Sequence, residues 1–370
     1  MAQALNNYST QLILTYNRAV SNDYRVLLKG ATLRPLPSTS TMTVDQARFA
    51  ESQVGGLRDG FADSGLSIRQ ATVKATVQSY TMVGQDVAVT ADMTTTVTSI
   101  NASDGTPFTS SWSDTRAITF APTRSRAGID YSVVTDRAVP PPSNQGGLSV
   151  SQMASLGITA RPSSDDKRAA STTQSPTPPT SSALAQPRIN VTSFVNYAWY
   201  WTYTRATMNP AYPILGADCA NFASQVLDHA GFNPVGGSYA QKWSTSIWTY
   251  SLGWPGGPSN TWSVASYQYT YVYRNSGQYT WLSNIWNATP GDLLYTDWDP
   301  NLRPDGTIDH VMVVTGRNNV AGSNSPTGQA FVSPFISQKT PNRYNIPLQV
   351  SINYARGEGR TVVWYGLKHS

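Results

Sequence analysis

From about Ala4 to Leu33, apolar residues recur at helical spacing (Leu12, Leu14, Tyr16, Ala19, Val20, Tyr24, Val26, Leu27), with Ser21 and Asn22 as a break. A second helix is expected over Thr43 to Gly60, capped by Thr43, with Ala47, Phe49, Ala50, Val54 and Leu57 along one side. The period then drops to two. Ala71, Val73, Ala75 and Val77 alternate with polar residues, and Val87, Val89, Ala91, Met93, Thr95 and Val97 repeat the pattern after a turn at Gly84 and Gln85. Further strands fit Ser111 to Phe120 and Ile129 to Asp136. Two helices followed by a curved antiparallel meander predict an α+β segment over residues 1–137.

The pattern breaks between Ala138 and Pro187. AVPPPSNQGG and SSDDKRAASTTQSPTPPTSSALAQP flank one short helical turn, and Pro, Ser and Thr give such a stretch little to bury. Residues 138–187 are expected as a linker. A different texture starts at 188. VTSFVNYAWYWTYTRA predicts an aromatic helix from Thr192 or Ser193, and the turn-rich NPAYPILGADC leads into a helix over Asn221 to Ala230, with Phe222, Val226 and Leu227 as its buried stripe and Gly231 as its stop. Strand-like runs follow at Asp292 to Tyr295, His310 to Thr315, Ala330 to Ile336 and Thr361 to Tyr365.

Composition narrows the partners. Charged residues make up only 13% of the 370, so the surface is expected to be Ser, Thr, Asn, Gln and Tyr, a texture common in secreted proteins. The net charge of +5 contains no cluster of four or more Lys or Arg, so no nucleic-acid partner is expected; residence near an anionic cell wall fits better. There is no apolar run long enough for a membrane span. The start MAQALNNYSTQLIL lacks a basic n-region and a cleavage site, so an exported form is expected to have lost its signal peptide already. One cysteine excludes an intrachain disulfide, and three histidines leave too little for a zinc cage, so neither metal nor other cofactor is expected.

That cysteine, Cys219, stands at a predicted helix start between Asp218 and Asn221. A free thiol with a pKa of about 8.5 is mostly protonated at neutral pH, whereas the positive end of a helix favours the thiolate, which is the nucleophile. The base must come from the histidines. His369 is penultimate and expected to fray, and His229 lies roughly 15 Å from Cys219 along the same helix. His310 opens the strand HVMVVTG and is the better candidate.

The stretch NPAYPILGADCANFASQVLDHAGF resembles the nucleophile motif of the bacterial putative amidase family. PGDLLYTDW followed by IDHVMVVTG resembles its histidine motif, the two lying 91 residues apart, from 219 to 310. That family is related to the NlpC/P60 and CHAP cell-wall hydrolases, so the resemblance implies a papain-like α+β cysteine hydrolase over 188–370. It implies Cys219 as nucleophile, His310 as base, and Asp218 and Asn221 as supports of the nucleophile turn. It also implies amide hydrolysis, with peptidoglycan or another peptide or amide as substrate. Members carry a second His-Thr pair after the next strand; here the tetrapeptide is Ser337-Gln338-Lys339-Thr340, and a charged lysine cannot accept a bond from an imidazole N–H. Orientation of His310 therefore falls to Gln338, Ser337 or Ser333. Two other readings fit the same residues: a binding module that kept the fold without the chemistry, and a protein deamidase or transglutaminase. The first segment resembles cystatin-like and NTF2-like domains in pattern alone, which implies an accessory role.

Overall fold

The computed structural model describes residues 56–125, 128–139, 146–167, 186–298, 303–320 and 330–370, apart from 58 and 358. It divides into two compact units, Met1–Pro140 and Pro141–Ser370. The helix expected over Ala4 to Leu33, most of that over Thr43 to Gly60, and residues 168–185 of the expected linker lie outside the described residues.

In the first unit a helical stretch over 59–63 runs past Gly60 and buries Phe61. Four strands follow, β1 (Leu66–Val83), β2 (Asp86–Asn101), β3 (Pro107–Ser125) and β4 (Gly128–Ala138), each antiparallel to the next. The β1-β2 hairpin turns on Gly84 at φ +64°, a left-handed conformation that a Cβ would strain. In β2 the period of two becomes burial without a slip: Val87, Val89, Ala91, Met93, Thr95 and Val97 are all buried. The opposite face carries hydroxyl pairs, Thr94 with Ser113 at 2.8 Å and Thr96 with Ser111 at 3.1 Å. In β1 the same alternation does not produce burial. Ala71 and Val77 are only half-buried, and Thr72, Lys74, Thr76 and Gln78 are exposed.

Among the described residues the second unit has six strands: β5 (Tyr279–Leu282), β6 (Leu293–Asp297), β7 (His310–Val320), β8 (Phe331–Gln338), β9 (Arg343–Pro347) and β10 (Val363–His369). They pair antiparallel throughout in the order β9-β8-β7-β6-β10-β5. The helices are α1 (Val150–Ser155), α2 (Val191–Trp199), α3 (Cys219–His229), α4 (Asn260–Ser263), α5 (Ala265–Thr270) and α6 (Leu348–Gly357). Helix α2 continues into a π-helical turn, Tyr200–Thr204. It starts one or two residues before the predicted point, because Asn190 Oδ1 accepts from the N–H of Ser193 at 2.9 Å and makes Asn190 the cap.

The α+β architecture expected for the chain, and the papain-like domain within it, are overturned. The protein is sheet-dominated, an open and mostly antiparallel arrangement with few, short helices. Two physical reasons account for the difference. The Val- and aromatic-rich runs of the second unit extend further as strands than their apolar cores suggested, β7 reaching Val320 and β10 reaching His369. The Trp- and Tyr-rich middle, which has no sustained 3.6 period, breaks into α4 and α5, of four and six residues.

Residues 146–167, expected as linker, instead pack onto the second unit. Ser149 closes a capping box on α1, whose Met153 is fully buried. Ser163 Oγ donates to the Leu282 carbonyl at 2.5 Å and accepts from the Gly366 N–H at 2.7 Å, while Trp286 Nε1 donates to the Asp165 carbonyl at 2.8 Å. Gly366 admits this strap, since a Cβ there would lie 3.0 Å from Leu282 and 3.2 Å from Ser163 Oγ. Met153→Ala is expected to destabilise the second unit by about 2–5 kcal/mol, read as an earlier urea transition in tryptophan fluorescence. An unchanged midpoint would mean that the strap adds nothing to the core.

Candidate active site

The turn around Cys219 is held by side chains on both sides of it. Asp218 Oδ1 accepts from the Leu215 N–H at 3.0 Å and from Asn221 Nδ2 at 2.6 Å, and Asn221 Nδ2 also donates to the Pro213 carbonyl at 2.7 Å. Asn221 Oδ1 in turn accepts from Trp262 Nε1 at 2.8 Å and Gln225 Nε2 at 3.2 Å. These bonds draw the turn-rich approach back onto the start of α3, so Asp218 works on the loop rather than as a side-chain cap. Burial raises the pKa of Asp218, with Asn221, Leu215 and the charge of Lys339 opposing the shift.

Cys219 is the first residue of α3, two residues before the helix predicted to start at Asn221, and is 3% exposed. Its Sγ donates to the carbonyl oxygen of Asp309 at 3.7 Å. That carbonyl belongs to the peptide bond that joins Asp309 to His310.

His310 is the first residue of β7 and pairs with Thr296 of β6. Its ring stacks on Trp298, with centroids 4.6 Å apart and 22° between planes. Alternation along β7 sends Val311 and Val313 into the core that also contains Cys219, Tyr295 and Leu293, so His310, Thr296 and Trp298 fall on the other face. The thiol therefore reaches the carbonyl of the peptide bond leading into β7 from one face of the strand, and the imidazole lies on the other. Burial pushes the His310 pKa down to about 3; Gln338 opposes that shift and the Arg343 guanidinium adds to it.

The three candidates for orienting His310 separate clearly. Ser337 stands opposite Val313, on the face away from the imidazole, and is engaged by Thr315 Oγ1 at 3.1 Å and the Asn345 N–H at 3.0 Å. Ser333 stands opposite Asn318, eight residues along β7 from His310. Gln338 follows Ser337 and so takes the face of Met312 and His310. Its Nε2 donates to the Pro341 carbonyl at 3.3 Å, which leaves Oε1 as an acceptor, and that atom and His310 Nε2 are both buried without a hydrogen-bond partner. The same is true of Thr296 Oγ1.

The other histidines are placed elsewhere. His229 stacks on Tyr197 at 4.0 Å, and burial lowers its pKa, with Asp228 opposing. His369 is not frayed as expected: it ends β10, and its Nδ1 lies 2.6 Å from Oδ1 of the fully buried Asp292. Of the aromatic stretch Trp243 to Trp286, Trp248, Trp262 and Trp286 are core, while Trp243 and Trp254 are exposed. Among the described residues no three His, Cys, Asp or Glu side chains converge as a metal site, and no helix is long and apolar enough to cross a membrane. Trp298 and Thr296, beside His310, and Thr340, which accepts from the Asp218 N–H at 2.9 Å, are neighbours of the candidate residues that sequence reasoning missed. For Trp298 a signal existed: it closes the run PGDLLYTDW, two residues after Thr296.

Residues 188–363 match the model of the family described as "Putative amidase domain". The matched segment contains Cys219, His310 and the turn after β8, and the match suggests hydrolysis of amide bonds. No curated protein matches the chain, and no solved structure does.

Proposed function

We propose that this chain is a secreted or cell-wall-associated cysteine amidase that cleaves amide bonds of peptidoglycan. The Cys219 sulfur adds to the amide carbonyl carbon while His310 takes the thiol proton, and N–H groups at the start of α3 stabilise the oxyanion. The C–N bond then breaks as His310 returns the proton to the leaving amine. Water, deprotonated by the same imidazole, hydrolyses the thioester, releasing the acid and restoring the thiol. One observation carries the reading: inside the segment that matches an amidase domain, the only thiol of the chain sits at a helix start against the peptide bond leading into His310. Burial leaves the imidazole uncharged, and the proton transfer requires it to turn from the Trp298 face of β7 toward the thiol as substrate binds. The sparsely charged, mildly basic composition and the exposed Trp243 and Trp254 favour a wall polymer as substrate. Incubation with purified peptidoglycan, followed by mass spectrometry of the released fragments, tests the substrate. Intact wall alongside hydrolysis of a simple peptide amide would remove peptidoglycan and leave the chemistry.

In this reading Gln338 is the third member, its Oε1 accepting from His310 Nε2–H and leaving Nδ1 as the basic nitrogen. Gln338→Leu is expected to lower kcat about ten- to a hundredfold, less than loss of the base itself. Ser333→Ala is expected to leave kcat within about twofold, because its hydroxyl is remote from the imidazole. Equal losses in the two variants would remove Gln338 from this role.

A second reading, a binding module without chemistry, is favoured by the burial of the resting thiol. Iodoacetamide labelling across pH separates the two: an inert thiol reacts only as its own ionisation near pH 8.5 permits.

A further inference from the structure

The turn after β8 holds a buried cation that this chemistry leaves without a task. Lys339 is 5% exposed, and its Nζ donates to the Trp201 carbonyl at 2.8 Å and to Asn342 Oδ1 at 2.7 Å. Asn342 Nδ2 donates to the Thr202 carbonyl at 2.9 Å. The turn thus takes up two carbonyls in the π-helical end of α2, where helix carbonyls lack intrahelical partners and a cation is favoured. The next residue, Thr340, accepts the Asp218 N–H, and the Asp218 carboxylate is the charge that acts on the ammonium. From Asp218 the bonds run through Asn221 and Gln225 to the Tyr197 hydroxyl, 2.9 Å from Gln225 Oε1, back on α2. The turn around Cys219 therefore lies in a ring of hydrogen bonds closed through the backbones of α2 and the β8-β9 turn, to which Lys339 ties the end of α2 and Thr340 ties Asp218.

We propose that Lys339 is a positioning residue for Cys219: it fastens the end of α2 to the turn carrying Thr340, whose hydroxyl holds the Asp218 N–H, and so fixes the first turn of α3 where the thiol meets Asp309. Burying an ammonium costs several kcal/mol, a cost that packing alone does not require. Burial brings its pKa down to about 7, against the pull of Asp218. The neighbouring Arg343 guanidinium lies over the Tyr354 ring and donates to the Asn342 carbonyl at 3.4 Å.

The inference rests on the amidase reading for its kinetic arm only. In the full chain, Lys339→Met is expected to lower kcat on a peptide amide about ten- to a hundredfold with KM changed less than about threefold, the signature of a displaced reacting group. Lys339→Arg, which keeps the charge, is expected to recover most of that loss. Iodoacetamide should alkylate Cys219 at least about threefold faster in Lys339→Met than in wild type, since a loosened turn exposes the thiol. Lys339→Met with native circular dichroism, and with kcat and alkylation rate both within about twofold of wild type, overturns the proposal. So does failure of Lys339→Arg to restore either quantity. Should Lys339→Met not fold, Asn342→Ala, at a half-buried position, is judged by the same criteria. If wild type itself hydrolyses no amide, the amidase reading fails, and the alkylation rates alone decide the positioning role.

Discussion

Cys219→Ala is expected to abolish amide hydrolysis, lowering kcat by at least about three orders of magnitude, because in the proposed mechanism the sulfur forms the covalent bond on which every later step depends. The fold should survive. The substitution removes one sulfur atom from a buried site at the head of α3, and the bonds of Asp218 and Asn221 that hold the turn do not involve it. Unfolding midpoint and circular dichroism should therefore stay close to wild type while fragment release falls to background. Cys219→Ser is the sharper comparison, since it preserves a hydroxyl donor toward the Asp309 carbonyl but replaces the nucleophile with a poor one; it should be as inactive as the alanine variant. A Cys219→Ala protein that still releases fragments at the wild-type rate would show that the nucleophile lies elsewhere.

How much of this was legible in the sequence depended on whether a residue's role is local. The period of two in β2 translated directly into a buried face, and Asp218, Cys219 and Asn221 were readable because a polar triplet after Pro213 and Gly216 marks a helix start. Helix α3 nonetheless begins at Cys219, because the Asp218 carboxylate turns back to Leu215 instead of capping forward. The balance of helix and sheet was misread, since β5 and β9, of four and five residues, are too short to show a period. What no local pattern carried was pairing. The face shared by Thr296, His310 and Trp298, and the placing of Gln338 rather than Ser337 on it, follow from strand register, which relates residues far apart in the chain. Lys339 shows the same limit. In sequence it only removes a possible acceptor, whereas in the fold it ties the end of α2 to the turn whose next residue, Thr340, takes the Asp218 N–H.

Loss of His310 should be the other large effect, and it has a signature in stability as well as in rate. His310→Gln is expected to lower kcat by about 10²–10⁴-fold, the usual contribution of a positioned general base. Its effect on stability depends on pH in a direction fixed by burial. The imidazole titrates near 6.5 in the unfolded chain and at about 3 in the folded one, so between those values the unfolded chain carries a proton that the native protein does not. Protonation in that window favours unfolding: the stability tied to the neutral, buried imidazole is complete above pH 6.5 and is lost as pH falls toward 3, at up to about 1.4 kcal/mol per pH unit. Asp218, whose pKa burial raises, acts in the opposite sense in acid, so the wild-type curve alone mixes the two. The difference between wild type and His310→Gln isolates the histidine. Urea titrations at steps between pH 4 and pH 7 should show wild type losing stability faster than the variant as the solution is acidified. Parallel curves would mean that the imidazole is hydrated in solution and able to protonate in the native state, which would dissolve the stack on Trp298 and the assignment of Gln338 as the acceptor that orients it.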